Sequence, residues 1–441
     1  MKRLLLLLLV LLSFDSSYPQ GNFQFVKKKG KTVIPFRFIN NLIIIPVKLN
    51  GVPLNFLLDT GVEETILFSL DETEEILFEN VEKIKLKGLG SQEFIEGLKS
   101  TKNKLEFEDM YDNNHMIYIV LDQEFNFSSH IGIPVNGIIG YQFFKNNIVE
   151  INYDRKRITI YHDIDKARTK FSKKLTACPI SIELRKPYVV ASVEQQQGPF
   201  DAKLLIDTGS SDAVWLFDEK SDKVTLPPKY FQDFLGRGFS GEIYGKRGRL
   251  SRFTLSGFKF EEPIAAFPDS TSIRNVNLVK DRLGSVGGEI LKRFTMVFDY
   301  QKSQIFLKKG QAYYNDFHYN MSGLEIQHGG LQWIKETVEM NTTLKGDEYD
   351  GNFNKRMSDF HYRFDLKPMY TVTSVRPGSP AEEAGLLKDD MLISINGRLA
   401  YRYTLQEIID LLRSEPDKEI LMQIERAGVK RNVNFRLRKM L

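Results

Sequence analysis

Two stretches of this chain end in the same way. Residues 55–68 read NFLLDTGVEETILF and residues 203–217 read KLLIDTGSSDAVWLF, so an apolar run enters Asp-Thr-Gly twice, with Asp59 and Asp207 148 residues apart. Farther on, NGIIGYQFFKNNIVEINYDRKRITIY from Asn136 is echoed by LGSVGGEILKRFTMVFDYQKSQIFL from Leu283. There Gly140 aligns on Gly287 and Tyr153 on Tyr300, both at an offset of 147. A chance turn does not bring a second landmark with it at the same spacing; self-similarity of this kind marks a duplicated unit. The 441 residues therefore have to fold as two like halves plus whatever follows them.

Each half reads as β structure. LIIIPVKLNGVPLNFLLDTG is an apolar strand, an Asn50-Gly51 turn and a second strand into the motif. Asn-Gly between apolar runs is a strong hairpin signal. YVVASVEQQQGPFDAKLLIDTG repeats the plan, and glycine-punctuated middles follow in both halves, KIKLKGLGSQEFIEGLKS and LGRGFSGEIYGKRGRLSRF. Short strands separated by such turns predict two all-β lobes. They span 22–163 and 178–309, joined by a charged linker over 164–177.

The net charge is +4, from 61 basic and 57 acidic residues scattered along the chain. Without a concentrated basic patch, a nucleic-acid partner is not expected. The start, MKRLLLLLLVLLSFDSSYPQ, has a basic end, an apolar run and a polar finish. This is the layout of a secretory signal peptide over 1–20, so export to the periplasm or beyond is expected, with no stable membrane span once it is removed. Cys178 is the single cysteine, which leaves no internal disulfide, and stability must come from packing. The six histidines show no metal-ligand spacing, so neither a metal nor a cofactor is expected.

A carboxylate at the end of a buried strand is costly unless paired or hydrogen-bonded. Gly61 and Gly209 let the chain turn sharply, and Thr60 and Thr208 offer hydroxyls at the same turns. In a two-lobed protein the turns can meet at the interface, setting Asp59 against Asp207. Like charges at close range do not both ionise. One carboxylate can then activate water while one carboxylic acid protonates a leaving amine.

These segments resemble the aspartic proteases, most closely the retropepsin-like group in its bacterial single-chain form. The residues carrying the likeness are Leu57-Leu58-Asp59-Thr60-Gly61 with Ile138-Ile139-Gly140, and Leu205-Ile206-Asp207-Thr208-Gly209 with Ser285-Val286-Gly287. The resemblance implies a mainly β pseudo-dimer of two homologous lobes, a catalytic dyad Asp59/Asp207, and Thr60 and Thr208 as braces across the interface. It implies aspartic-type hydrolysis of peptide or protein substrates by a monomer, since both motifs lie in one chain. The halves depart from each other after the second glycine, where Ser210 stands against Val62. A Ser210 hydroxyl donating to Asp207 would lower its pKa, leaving the proton on Asp59. Ser285 departs from the apolar residue usual at its place. The glycine-rich middles resemble flaps that close over a peptide, with Gly88, Gly90, Gly238 and Gly241 as hinges and Tyr244 as a flap aromatic; plain surface hairpins are the other reading.

Past Lys309 the pattern becomes mixed α/β. Ser379-Pro380-Ala381-Glu382 and Thr404-Leu405-Gln406-Glu407 are capping boxes, each opening a helix. Pro377-Gly378-Ser379-Pro380-Ala381, Ala384-Gly385-Leu386, Asp390 and Ile395-Asn396-Gly397 resemble a PDZ domain over 316–441. The resemblance places a carboxylate-binding loop at Gly323, Leu324 and Ile326 and implies a peptide C-terminus as ligand. An insertion over 327–368 interrupts the pattern; a cover over the groove, a dock onto the lobes and a long loop all remain open. The expectation for the whole chain is an exported endopeptidase whose PDZ-like domain recruits substrate or regulates access. The alternative is an inactive protease fold that binds peptides or acts as a scaffold.

Overall fold

The computed structural model describes residues 22–27, 30–68, 76–86, 95–120, 127–238, 241–273, 279–343 and 356–441. The segment read as a signal peptide and the flap glycines Gly88 and Gly90 lie outside the described residues. The architecture is mainly β: two lobes and a small PDZ-like domain, with sheets of nine, ten, six and six strands among the described residues.

The repeat in the sequence is a repeat in strand pairing. In the first lobe, Val52–Leu58 runs antiparallel to Leu42–Leu49 and parallel to Gly137–Ile139, with Leu57 opposite Ile138. In the second, Gly198–Ile206 runs antiparallel to Lys186–Gln195 and parallel to Arg282–Val286, with Leu205 opposite Ser285. Leu57, Leu58, Leu205 and Ile206 are all buried. The apolar runs are therefore the central strands that carry each Asp-Thr-Gly out of its lobe, and their burial fixes the register. Gly140 and Gly287 make the close approach possible. A Cβ on Gly140 would lie 2.0 Å from the Val62 carbonyl, and one on Gly287 2.5 Å from that of Asp212.

The downstream blocks of the repeat build one sheet between them. Ile148–Asn152 of the first half pairs with Phe294–Asp299 of the second. Arg157–Tyr161 and Lys31–Pro35 extend the sheet on one side, Gln304–Lys309 and Thr176–Pro179 on the other. The lobes are thus hydrogen-bonded to each other through continuous backbone, which fixes the approach of the two aspartates.

The charged connection between lobes is a helix, Ile164–Ser172, capped by the Asp163 carboxylate. Arg168 on this helix donates two hydrogen bonds to the buried Asp299, at 2.7 and 3.0 Å. Cys178 is a buried free thiol in the strand Thr176–Pro179.

The C-terminal sheet begins with two long strands, Leu324–Thr343 and Arg356–Val375, paired antiparallel over their length with irregularities at Glu325/Ile326 and His328/Leu331. The described part of the insertion is therefore a continuation of two domain strands. Trp333 and Leu366 form a cross-strand pair on this arm and are both exposed. Thr404 and Glu407 cap the helix Leu405–Leu412 reciprocally. The box at Ser379 is only half formed: its hydroxyl accepts from the Glu382 N–H, whereas the Glu382 carboxylate accepts from Gly378 N–H.

Side chains bind this domain to the lobes. Arg376 donates to Asp233 in the strand Tyr230–Gly238 at 2.9 Å, and Arg247 on the neighbouring strand donates to Asp233 and Asp212, each at 2.6 Å. Gln406 accepts from the Asn40 N–H at 2.6 Å, and a Cβ on Gly132 would lie 2.9 Å from that of Leu405. The connecting segment is held by Arg293, which donates to the carbonyls of Tyr313, Asn315 and Asp316 and stacks on Phe317.

Candidate active site

The two Asp-Thr-Gly turns meet across the lobe interface. Thr60 Oγ1 donates to the Ile206 carbonyl at 2.6 Å, and Thr208 Oγ1 donates to the Leu58 carbonyl at 2.8 Å. In return each hydroxyl accepts from the other threonine's N–H, both at 3.0 Å. Both threonines are 1% exposed, so these four bonds form away from water. Each lobe completes the other's buried polar groups.

Above this brace the Asp59 and Asp207 carboxyls come together, close enough for one to hydrogen-bond the other. The Gly61 N–H donates to Asp59 Oδ1 at 2.7 Å, and the Gly209 N–H to Asp207 Oδ1 at 3.1 Å. Gly209 tolerates no side chain, since a Cβ there would lie 2.2 Å from Asp59 Oδ2, and a Cβ on Gly61 would crowd Asp59 Oδ1 at 3.0 Å. Burial pushes the Asp59 carboxyl up, and the neighbouring Asp207 charge pushes it further, to about 8. Burial raises Asp207 as well, but the positive charge of Arg282 opposes it, followed by the Gly209 N–H and Lys186. Two carboxyls so placed do not readily ionise together, and the Arg282 charge favours the ionised form at Asp207.

The sequence reading takes the asymmetry of the pair from a Ser210 hydroxyl bonded to Asp207. Ser210 makes no hydrogen bond to the Asp207 carboxylate among the described residues; its hydroxyl points to Gly287, where a Cβ would lie 2.9 Å from it. Val62 and Ser210 use their backbones alike, each donating to its aspartate's carbonyl at 3.4 Å and accepting from Tyr141 or Gly288 N–H. The Val62 departure leaves the loop geometry intact. Arg282 acts on Asp207, whereas Lys186 lowers both carboxyls; the sequence reading missed both cations.

A cavity of about 300 Å³ opens over the dyad. The strands Tyr230–Gly238 and Gly241–Arg249 form a hairpin beside it, contributing Phe234, Leu235, Gly236, Gly238 and Ile243 to its wall. Gly241 sits opposite Gly238 at the end of the hairpin, with φ of +132°. Tyr244 does not face the cavity. It is 40% exposed, donates to Glu242 at 2.8 Å and packs edge-on against Phe234, which is the aromatic of this hairpin that lines the cavity. The Trp215 indole N–H donates to Asp212 at 2.7 Å, which ties this wall to the Arg247–Asp233–Arg376 chain.

The PDZ-like domain forms another wall. Leu324 and Ile326 of the proposed carboxylate loop face the cavity together with Ile409, Leu412 and Arg413 of and after the helix Leu405–Leu412. Gly323 lies behind them, with φ of +82° and its Cβ position blocked by Ser379 at 2.2 Å. Glu325 is pushed up to about 7 by burial. These residues of the C-terminal domain and the dyad thus line one space, a juxtaposition the sequence did not announce. No group of three or more potential metal ligands occurs among the described residues. No helix among them is long and apolar enough to cross a membrane.

Residues 371–426 match the PDZ domain family, and the chain contains a PDZ domain. A 61-residue stretch is 36% identical to the carboxy-terminal processing protease CtpB of Bacillus subtilis (strain 168). It covers 14% of this chain and 13% of that protein, so the likeness is confined to one module. The fold is also similar to the crystal structure of an aspartic proteinase from Irpex lacteus, with 12% identity and a TM-score of 0.44 over 65% of this chain and 99% of that one.

Proposed function

We propose that this protein is an exported aspartic-type endopeptidase in which Asp59 and Asp207 hydrolyse peptide bonds without a covalent intermediate. The observation that carries the reading is the reciprocal brace of Thr60 and Thr208 beneath two carboxyls that share one proton. Asp207, ionised, takes a proton from a water lying between the carboxyls as its oxygen attacks the scissile carbonyl. Asp59, protonated, polarises that carbonyl, and the amine leaves with a proton from the dyad. No other step is needed, because the acid and the base already coexist.

The hairpin bearing Phe234 and Leu235 covers the cavity on one side and offers strand backbone to an extended substrate. The PDZ domain, with Leu324, Ile326 and Ile409 in the same cavity, receives the substrate chain beside the dyad rather than at a remote docking point.

The test is hydrolysis of unfolded casein by the full chain, with and without a peptide in which a hydroxyethylene group replaces one amide. Such a peptide mimics the tetrahedral adduct and is expected to inhibit at far lower concentration than its amide parent. Absence of hydrolysis from acid to neutral pH would overturn the reading in favour of a peptide-binding protein.

A further inference from the structure

The two halves of the cleft should be alike by descent, and they differ at three positions that face one another in the pairing scheme. In the first lobe, Leu42 opens its strand opposite Ile39, two residues before Ile44, which pairs with Leu57. In the second, Lys186 opens its strand opposite Glu183, two residues before Tyr188, which pairs with Leu205. Leu42 and Lys186 therefore occupy the same place. The Asn136 carbonyl accepts from Phe68 N–H and the Leu283 carbonyl from Phe217 N–H, so the preceding residues, Val135 and Arg282, also correspond. Ile138 and Ser285 correspond through Leu57 and Leu205.

Leu42, Val135 and Ile138 of one half, the first and last of them lining the cavity, are thus replaced by Lys, Arg and Ser in the other. The replacements are concerted. Arg282 Nη2 donates to Ser285 Oγ at 3.0 Å, and its Nε donates to the Gly284 carbonyl at 2.9 Å, which fixes the guanidinium in place. This accounts for the serine where an apolar residue is usual. Lys186, Arg282 and Ser285 line the cavity together with the dyad.

Among the described residues neither Lys186 nor Arg282 has a carboxylate partner within 4.0 Å. Glu63, the nearest acid outside the dyad to act on Lys186, is bound by Arg185 at 2.8 Å, and Glu183 is bound by Lys203 at 2.7 Å. Asp212 is bound by Arg247, and Glu325 answers to Asp233, Arg413, Arg247 and Arg376. Two partly buried cations therefore face one shared negative charge. Burial of an unpaired cation is costly, and a ligand anion would relieve it.

Resting on the peptidase reading, we infer that Lys186 and Arg282 form a carboxylate-binding subsite beside the dyad, so that the cleft takes a peptide with an anionic group on one side of the scissile bond and an apolar residue on the other. The anion is either an acidic side chain or the C-terminal carboxylate of the substrate, and both chemistries fit a lysine beside a fixed guanidinium.

The test uses the full chain carrying Asp59→Asn, which keeps the charge of the protonated dyad and permits binding without turnover. Fluorescein-labelled octapeptides with amidated ends carry one Glu at each position in turn, against Gln counterparts, and binding is read by anisotropy. A second series has free C-termini. At one position Glu is expected to bind on the order of ten- to a hundredfold tighter than Gln. The preference falls to near unity with Lys186→Met and returns in part with Lys186→Arg. If free C-termini bind tighter than amidated ones while Glu and Gln bind alike, the recognised group is the chain end, and the acid and amide compared are then those of the terminus. Equal binding of acid and amide throughout, a preference unmoved by Lys186→Met, or no binding at all would overturn the subsite. Wild-type hydrolysis separates the two readings. Cleavage without acidic preference removes the subsite alone, whereas acidic preference in binding without cleavage removes the peptidase.

Discussion

Burial places both the Asp59 and the Asp207 carboxyl above the ordinary value of 3.8, and the Asp207 charge raises Asp59 further. Two pH effects follow. For catalysis, the base is lost when Asp207 is protonated at low pH, and the acid is lost when Asp59 deprotonates at about 8. The rate profile is therefore a bell whose alkaline limb falls near 8, readable as kcat/KM against pH. Arg282→Met removes the charge that opposes the rise of Asp207, so the acid limb moves to higher pH. For stability, the folded state holds more protons than the unfolded chain between the ordinary and the raised values. The contribution of the pair is thus fully present at low pH and lost as pH rises through the folded values. Asp59→Asn removes that loss and should raise the denaturation midpoint at pH 8, by on the order of 1 kcal/mol or more, while cutting hydrolysis at least about a hundredfold. Thr208→Val keeps the shape of the brace but removes the donor to Leu58 and the acceptor for Thr60. It should cost roughly 2–4 kcal/mol in chemical denaturation, because two buried polar groups lose their partners.

Among the elements, those with strong periodic signals were legible and those set by tertiary pairing were not. The strand into each Asp-Thr-Gly, the Asn50-Gly51 hairpin and the capped helix from Leu405 follow from apolar runs and turn residues that act locally. The segment 164–172 carries four charged residues among its nine and reads as a linker; Ile164, Ala167 and Phe171 on one face, the Asp163 cap and the Arg168–Asp299 pair make it a helix. Arg168→Ala would leave Asp299 buried without its cation and should lower stability by about 3 kcal/mol in thermal or chemical melts. The insertion after Gln327 became strand because it prolongs two paired domain strands, a long-range effect without a local signature. In the flap hairpin, alternation could not say which aromatic faces inward. Phe234 and Tyr244 are cross-strand partners, yet Phe234 lines the cavity and Tyr244 does not. Phe234→Ala should accordingly raise KM for peptide hydrolysis more than Tyr244→Ala does.

For the molecule as a whole, duplication was legible as an offset between motifs, and the fold adds how the copies are joined: a shared six-stranded sheet and a pair of exchanged threonines. The sequence could not place the PDZ domain, because the residues that seat it are single polar side chains, Arg376 on Asp233 and Gln406 on Asn40. Lys186 and Arg282 escaped because each is unremarkable alone and informative only against Leu42 and Val135 in the other half. The seating makes the domain a wall of the catalytic cavity. Arg376→Ala leaves Asp233 with Arg247 alone, and should loosen that wall, increasing proteolytic nicking between residues 310 and 324 and lowering kcat/KM for long substrates more than for short ones. The central claim is that the two halves contribute one carboxyl each to a single site. It is tested most directly by comparing casein hydrolysis by the full chain with that by Asp59→Asn and by Asp207→Asn, each verified as folded. The account predicts that either substitution alone abolishes cleavage; cleavage that persists in either variant would contradict it.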